Sequence, residues 1–195
     1  MDYRIISLSE LNDKYINQAI NLFVEGFYHM FKGITKDKSE LQQLFKDSFN
    51  YNMIYVCLQD DRVTGFLGIG NSQKRAVTVN KETCQRLFGM FKGSMIYKQM
   101  SSMLEKITIQ NENEGYIDYI TTDAQFRGTG IGARLLQYIC DNLPYNYYTL
   151  DVLIKNMAAI KLYEKLGFKR IKTSSNLIFM LNGFGKSTTM RLEVK

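Results

Sequence analysis

Three glycines, Gly128, Gly130 and Gly132, stand at alternate positions in TTDAQFRGTGIGARLL, the stretch from Thr121 to Leu136, just ahead of an apolar helical pattern. Glycine costs a helix about 1 kcal/mol against alanine, so the spacing needs a use for bare backbone. The first amides of a helix have no partner within it, and that end carries partial positive charge. Glycines there let main-chain N–H groups close on phosphate oxygens, and Arg127 adds a cation at the rim. Gripping a diphosphate is the chemistry on offer. Farther along, Tyr163 falls within a helical pattern, NMAAIKLYEKL. It also shares a stripe with Met157, Ile160 and Leu166, the pattern of a helix face in the core.

Two other uses of such glycines fit less well. GTGIGA satisfies G-x-G-x-x-A, and the acidic Asp151 lies downstream as a dinucleotide fingerprint wants. In that motif, however, the first glycine follows its strand directly, whereas DAQFR intervenes here, and too little chain remains to complete a doubly wound sheet. GFGKST near the C-terminus looks like a phosphate-binding loop, but the required upstream glycine is replaced by Met180. It reads instead as the turn of a closing hairpin between NLIFML and TTMRLEV.

The elements that must position these residues follow from periodicity. DYRIISL alternates as a strand, and LNDKYINQAINLFVEGFYHMF puts Leu11, Tyr15, Ile16, Ala19, Phe23 and Phe27 on one helical face. KSELQQLFKDSF is a second helix with Ser39 as its cap, and MIYVCLQDDRVTGFLGIG is two strands joined at Asp60 and Asp61. The stretch 71–113 has helical spacing interrupted by Gly89 and Gly93; its methionines serve as core filler. YIDYITT is a strand, GTGIGARLLQYICDNL a helix stopped by Pro144, YYTLDVLI a strand, and NMAAIKLYEKL a helix ending at Gly167.

Composition bounds the rest. At 195 residues, 45% hydrophobic and 23% charged, the chain suits one globular domain, 1–195, with a helical insertion at about 71–113. No apolar run approaches the roughly 20 residues of a membrane span, and the N-terminus lacks the pattern of a secretory signal. A cytoplasmic location is expected. Cys57, Cys84 and Cys140 are widely spaced, which suggests reduced thiols and no metal site, and His29, the single histidine, reads as an ordinary helix residue. The net charge of +6 favours an anionic partner, which a phosphate-bearing cofactor satisfies. Basic residues are scattered without a basic tail, so no nucleic-acid partner is expected.

QFRGTG resembles the Q/R-x-x-G-x-G/A signature of the GCN5-related N-acetyltransferases, with Gln125, Arg127, Gly128 and Gly130 in matching positions. NMAAIKLYEKLGF is similar to that family's second hallmark, through Asn156, Ala159, Tyr163, Gly167 and Phe168. The resemblance implies an α/β fold with a mixed, mostly antiparallel central sheet flanked by helices, and two strands splayed apart at an acyl-CoA site. It implies that Ile120, Thr121 and Thr122 meet the pantetheine arm with main-chain groups, one amide facing the thioester oxygen. Arg127, Gly128, Thr129, Gly130, Ile131 and Gly132 would hold the diphosphate of acetyl-CoA, and Asn156 would reach the arm. Tyr163 would be the general acid.

For the base, Asp118 stands in phase with Ile120 and Thr122, Glu114 begins the same strand, and a chain of waters is the third candidate. The expected activity is transfer of acetyl from acetyl-CoA to a primary amine on a small molecule or peptide, by a monomer or homodimer. The alternative is a non-catalytic acyl-CoA-binding module. Tyr28, Phe31, Phe88, Phe91 and Phe184 are candidates to line the acceptor pocket or to fill the core.

Overall fold

The computed structural model describes residues 3–174 and 185–194. NLIFML and the first half of NGFGKS, Asn182 to Phe184, fall outside the described residues. Seven strands form one sheet in the order β1-β2-β3-β4-β5-β7-β6. They are β1 (Tyr3–Ser7), β2 (Ile54–Gln59), β3 (Arg62–Gly70), β4 (Glu114–Thr122), β5 (Tyr147–Leu153), β6 (Lys169–Ser174) and β7 (Ser187–Glu193). Every neighbouring pair is antiparallel except β4 with β5. β6, which the periodicity of the sequence does not signal, pairs antiparallel with β7.

Helix α1 (Asp13–Phe31) lies across β3 and β4 and buries Ile16, Ala19, Ile20, Phe23, Val24 and Phe31. Asn12 caps it, so Leu11 precedes the helix; Leu11 and Tyr15 are half-buried against the same core, and the Tyr15 hydroxyl donates to Asp61. Phe23 is fully buried, and its ring meets Phe45, Phe66 and Tyr119 at centroid distances of 4.7, 5.2 and 5.0 Å. Truncating such a side chain to alanine costs about 3–5 kcal/mol. Helix α2 (Lys38–Ser48) is capped by Asp37, which accepts from Ser39 N at 2.7 Å; the carboxylate supplies the cap expected of Ser39.

The 71–113 stretch contains α3 (Lys81–Phe88) and α4 (Met90–Leu104). Gly89, at φ +82°, makes the break between them. Gly93 continues α4, and a Cβ there would lie 2.3 Å from Cys84 O, so its role is close helix approach. Phe31 is in the core and Phe91 is exposed. On the sheet's other face, α5 (Ile131–Asn142) and α6 (Met157–Lys165) cover a second core. Asp60 and Asp61 both take positive φ in the two-residue β2–β3 turn, as a tight hairpin requires.

Candidate active site

β4 and β5 pair from Glu114↔Tyr147 to Ile117↔Leu150 and then separate. Beyond that point β4 stays with β3 as far as Thr122, and β5 stays with β7 as far as Leu153. The register against β3 jumps from Ile69↔Ile117 to Gly68↔Tyr119, leaving Asp118 as an extra residue. A bulge bends its strand and increases its twist, which accounts for β4 turning away from its parallel neighbour where it does.

The same bulge resets the phase of β4. Ile117 packs with α5, whereas Tyr119 packs with Phe23 and Phe27 of α1. Asp118 points to that α1 side too, where Oδ1 accepts from Arg75 Nε at 2.5 Å and Oδ2 from Ala76 N at 2.7 Å. The expectation that Asp118 shares a face with Ile120 and Thr122 is therefore corrected. Those two lie against α5, and Thr121 packs against Gly26 of α1. The Asp118 side chain is 1% exposed; burial pushes its carboxyl up against the downward pull of Arg75.

Asp123 N donates to Thr64 O on β3 at 2.9 Å. Since successive peptide groups of a strand point to opposite edges, Ile120 and Thr122 present N–H and C=O to the edge that β5 has left. Asp123 then accepts from Gln125 N at 2.9 Å, while Arg62 bonds Asp123 at 2.8 Å and Gln125 Oε1 at 2.9 Å. The signature glutamine and the strand end are thus tied to one guanidinium, a link the sequence did not show.

Gly128 and Gly130 follow at φ +80° and +87°. Gly130 is the N-cap of α5, with no side-chain cap bond. Arg134 is the first residue of the helix whose N–H has an acceptor, Gly130 O at 3.0 Å. The amides of Arg127, Gly128, Gly130, Ile131, Gly132 and Ala133 therefore have no acceptor among the described residues. Thr129 differs: its N and Oγ1 both turn to Phe126 O, at 3.4 and 2.7 Å. A Cβ at Gly128 or Gly130 would meet nothing within 4 Å, so the loop stands open to an incoming group. A Cβ at Gly132 would touch Leu162, Ile120 and Thr122 at 3.6–3.9 Å, which sets the start of α5 against α6 and the end of β4. This row of bare amides, with no side chain in its way, fits a diphosphate.

Asn156 caps α6 by accepting from Ala159 N at 3.2 Å. Its Nδ2 has no acceptor among the described residues. Tyr163 is 5% exposed and its ring meets Phe168 at 5.7 Å. Burial alone pushes its phenol up to about 12, and its hydroxyl donates to no described residue. Glu114 is buried and bound by Thr149 and by both 2.8 and 2.9 Å contacts of Arg191. A surface hollow is lined by Leu136, Cys140, Phe168 and Leu192, and its Phe168 is the ring that meets Tyr163. Among the described residues, no group of three or more His, Cys, Asp or Glu is placed to hold a metal. No described helix is long and apolar enough to cross a membrane.

Fold and site together define a class of mixed α/β proteins whose sheet forks at its one parallel pair beside an uncapped, glycine-lined helix start. The chain belongs to the acetyltransferase (GNAT) family, whose model matches residues 16–168. Over 102 residues, 52% of this chain and 66% of the relative, it is 28% identical to glucosamine 6-phosphate N-acetyltransferase of Trypanosoma brucei brucei. It is 35% identical over 78 residues, 38% of each chain, to N-alpha-acetyltransferase 30 of Dictyostelium discoideum. The chain thus spans 66% or less of the length of these relatives. The fold matches that of the NatC complex bound to Gag peptide and CoA with TM-score 0.58 and 15% identity, covering 100% of both chains.

Proposed function

We propose that this chain is an N-acetyltransferase that moves an acetyl group from acetyl-CoA to a primary amine by direct transfer. The observation that carries the reading is the set of unpaired amides of Arg127, Gly128, Gly130, Ile131, Gly132 and Ala133 where β4 leaves the β4–β5 fork. When bound, acetyl-CoA supplies an activated acetyl group as its thioester. The amides of Arg127, Gly128, Gly130, Ile131 and Gly132 hold the diphosphate, and Thr129 closes the turn that aims them. Ile120 and Thr122 form the strand edge for the pantetheine arm, while Thr121 between them pairs with Phe66 of β3, and an N–H of the open edge stabilises negative charge developing on the thioester oxygen. Asn156 caps α6 with Oδ1 and donates to the arm with Nδ2. Tyr163 keeps a proton on its hydroxyl for the departing sulfur.

Asp118 is engaged with Arg75 and Ala76, so its part is to hold the bulge that opens the fork. To act as base it would have to leave both. The acceptor is a primary amine on a small molecule or a peptide. A second reading, an acyl-CoA-binding module without catalysis, uses the same cradle; the buried phenol of Tyr163, on the α5–α6 side of the sheet and with no acceptor among the described residues, favours the enzyme. Calorimetry with acetyl-CoA, followed by free-thiol release with a panel of amines, tests both. Heat with acetyl-CoA and amine-dependent thiol release are expected. Heat without thiol release from any amine would leave only the binding module.

A further inference from the structure

Helix α4 is held on one side only. Gly93, Ile96, Met100 and Leu104 are buried, Gly93 against Cys84 O of α3, and Gln85 Nε2 of α3 donates to Ser94 Oγ at 2.8 Å. The opposite face carries Phe91, Met95, Lys98 and Ser102 in one stripe, all exposed. Phe91 is 83% exposed, Met95 60% and Met90, just ahead of them, 73%, the three highest values among the large hydrophobics of the described residues. Single exposed apolar side chains are ordinary, but three within two turns of one helix form a patch.

The patch is convex and basic. Gly89 turns the chain at φ +82°, and a Cβ there would meet nothing within 4 Å, so Met90 and Phe91 stand on a projecting corner. α4 contains Lys92 and Lys98 and no Asp or Glu. Neither lysine is in an ion pair among the described residues. The Lys92 ammonium lies 5.7 Å over the Phe88 ring, beside the corner. The start of α4 has no side-chain cap bond and no acid in its first turn, which adds partial positive charge to the same place.

Charge and shape select the occupant. A second copy would set the patch against itself across a twofold axis, bringing Lys92 and Lys98 of both chains together. A peptide ligand needs a groove or a sheet edge to receive it, and a corner offers neither. An anionic bilayer accepts both features. Its interface takes up projecting apolar side chains, and its headgroups pair with the cations beside them.

We propose that the α3–α4 corner docks on an anionic lipid surface, with Met90, Phe91 and Met95 entering the interface and Lys92 and Lys98 among the headgroups. The contact is peripheral and reversible, since three side chains and two cations are few, and it weakens as salt screens the cations. It is independent of acetyl transfer.

The chain contains no tryptophan, so Phe91→Trp in the full chain gives one fluorophore at the corner. Vesicles of phosphatidylcholine with about one third phosphatidylserine should shift its emission to the blue, and brominated lipid should quench it. Wild type should sediment with the same vesicles, and about 10- to 30-fold more weakly with phosphatidylcholine alone, the worth of two lysines near the surface. Phe91→Ser with Met95→Ser should cut binding to the anionic vesicles about tenfold or more. Lys92→Gln with Lys98→Gln should erase the preference for anionic lipid. These side chains are exposed, so each pair of substitutions should keep the unfolding midpoint within about 3 °C. Emission unmoved by saturating anionic vesicles overturns the docking, as does equal sedimentation of wild type and the Phe91→Ser, Met95→Ser variant. A blue shift that grows with protein concentration in the absence of lipid assigns the face to a second copy. One produced by polyglutamate but not by vesicles assigns it to an acidic peptide. Either result overturns the membrane contact.

Discussion

The guanidinium of Arg75 clasps the carboxylate of Asp118, with Nε and Nη2 each 2.5 Å from Oδ1. The pair joins the loop after β3 to the bulged residue of β4, skipped between Ile69↔Ile117 and Gly68↔Tyr119. Arg75→Ala would leave a buried carboxylate with no counter-charge, a change that costs about 3–5 kcal/mol. Urea unfolding should show a loss of that size. Asp118→Asn should likewise lower stability, while its pH–rate profile keeps the shape of the wild type; loss of one limb of that profile would reinstate Asp118 as the base.

Tyr163→Phe removes the proton held beside the fork. Turnover should fall by roughly 10²-fold with acetyl-CoA affinity near normal. The pH dependence has a definite sign. Burial raises the phenol from 10.0 to about 12, so the protonated form is the one the fold prefers. Its contribution to stability is whole below pH 10 and declines between 10 and about 12, where the unfolded chain ionises first. An alkaline limb in the rate below pH 10 must come from another group and should persist in Tyr163→Phe.

Gly130 and Gly132 should respond differently to a side chain. Valine at Gly130 must adopt φ +87°, a left-handed conformation costing about 1–2 kcal/mol, and it places two methyls beside bare amides. Acetyl-CoA affinity should drop about tenfold or more. Alanine at Gly132 makes ordinary contacts at 3.6–3.9 Å, keeps the amide and faces inward. It should stabilise α5 by up to about 1 kcal/mol and leave affinity within about threefold. Equal affinity in wild type and Gly130→Val would remove the loop from the site.

The three thiols should be inert in the native protein. Cys57 and Cys84 are buried, and burial pushes the Cys140 thiol up to about 12. The thiolate is the reactive form. Iodoacetamide at pH 7.5 should leave mass unchanged over an hour and add three labels after unfolding.

The hairpin turn at Asp60 and Asp61, the helix break at Gly89 and the uncapped start of α5 were legible because each depends on a few adjacent residues. The cap of α2 was placed two residues late, since Asp and Ser compete for the same N–H and only backbone geometry chooses between them. β6 was missed because Lys169–Ser174 alternates too weakly to signal a strand before it has β7 beside it.

By itself the sequence determined the helices and strands other than β6 among the described residues, and the bare turn before α5, because periodicity and glycine spacing act over one or two turns of chain. Tertiary structure alone decided which strands part, that Asp118 leaves the phase of Ile120, and that Tyr116 and Asp151, 35 residues apart, meet across the fork. Those outcomes depend on strand order and on one unmatched residue in a ladder. Neither leaves a mark in local spacing, since both are set by partners brought together only when the sheet forms.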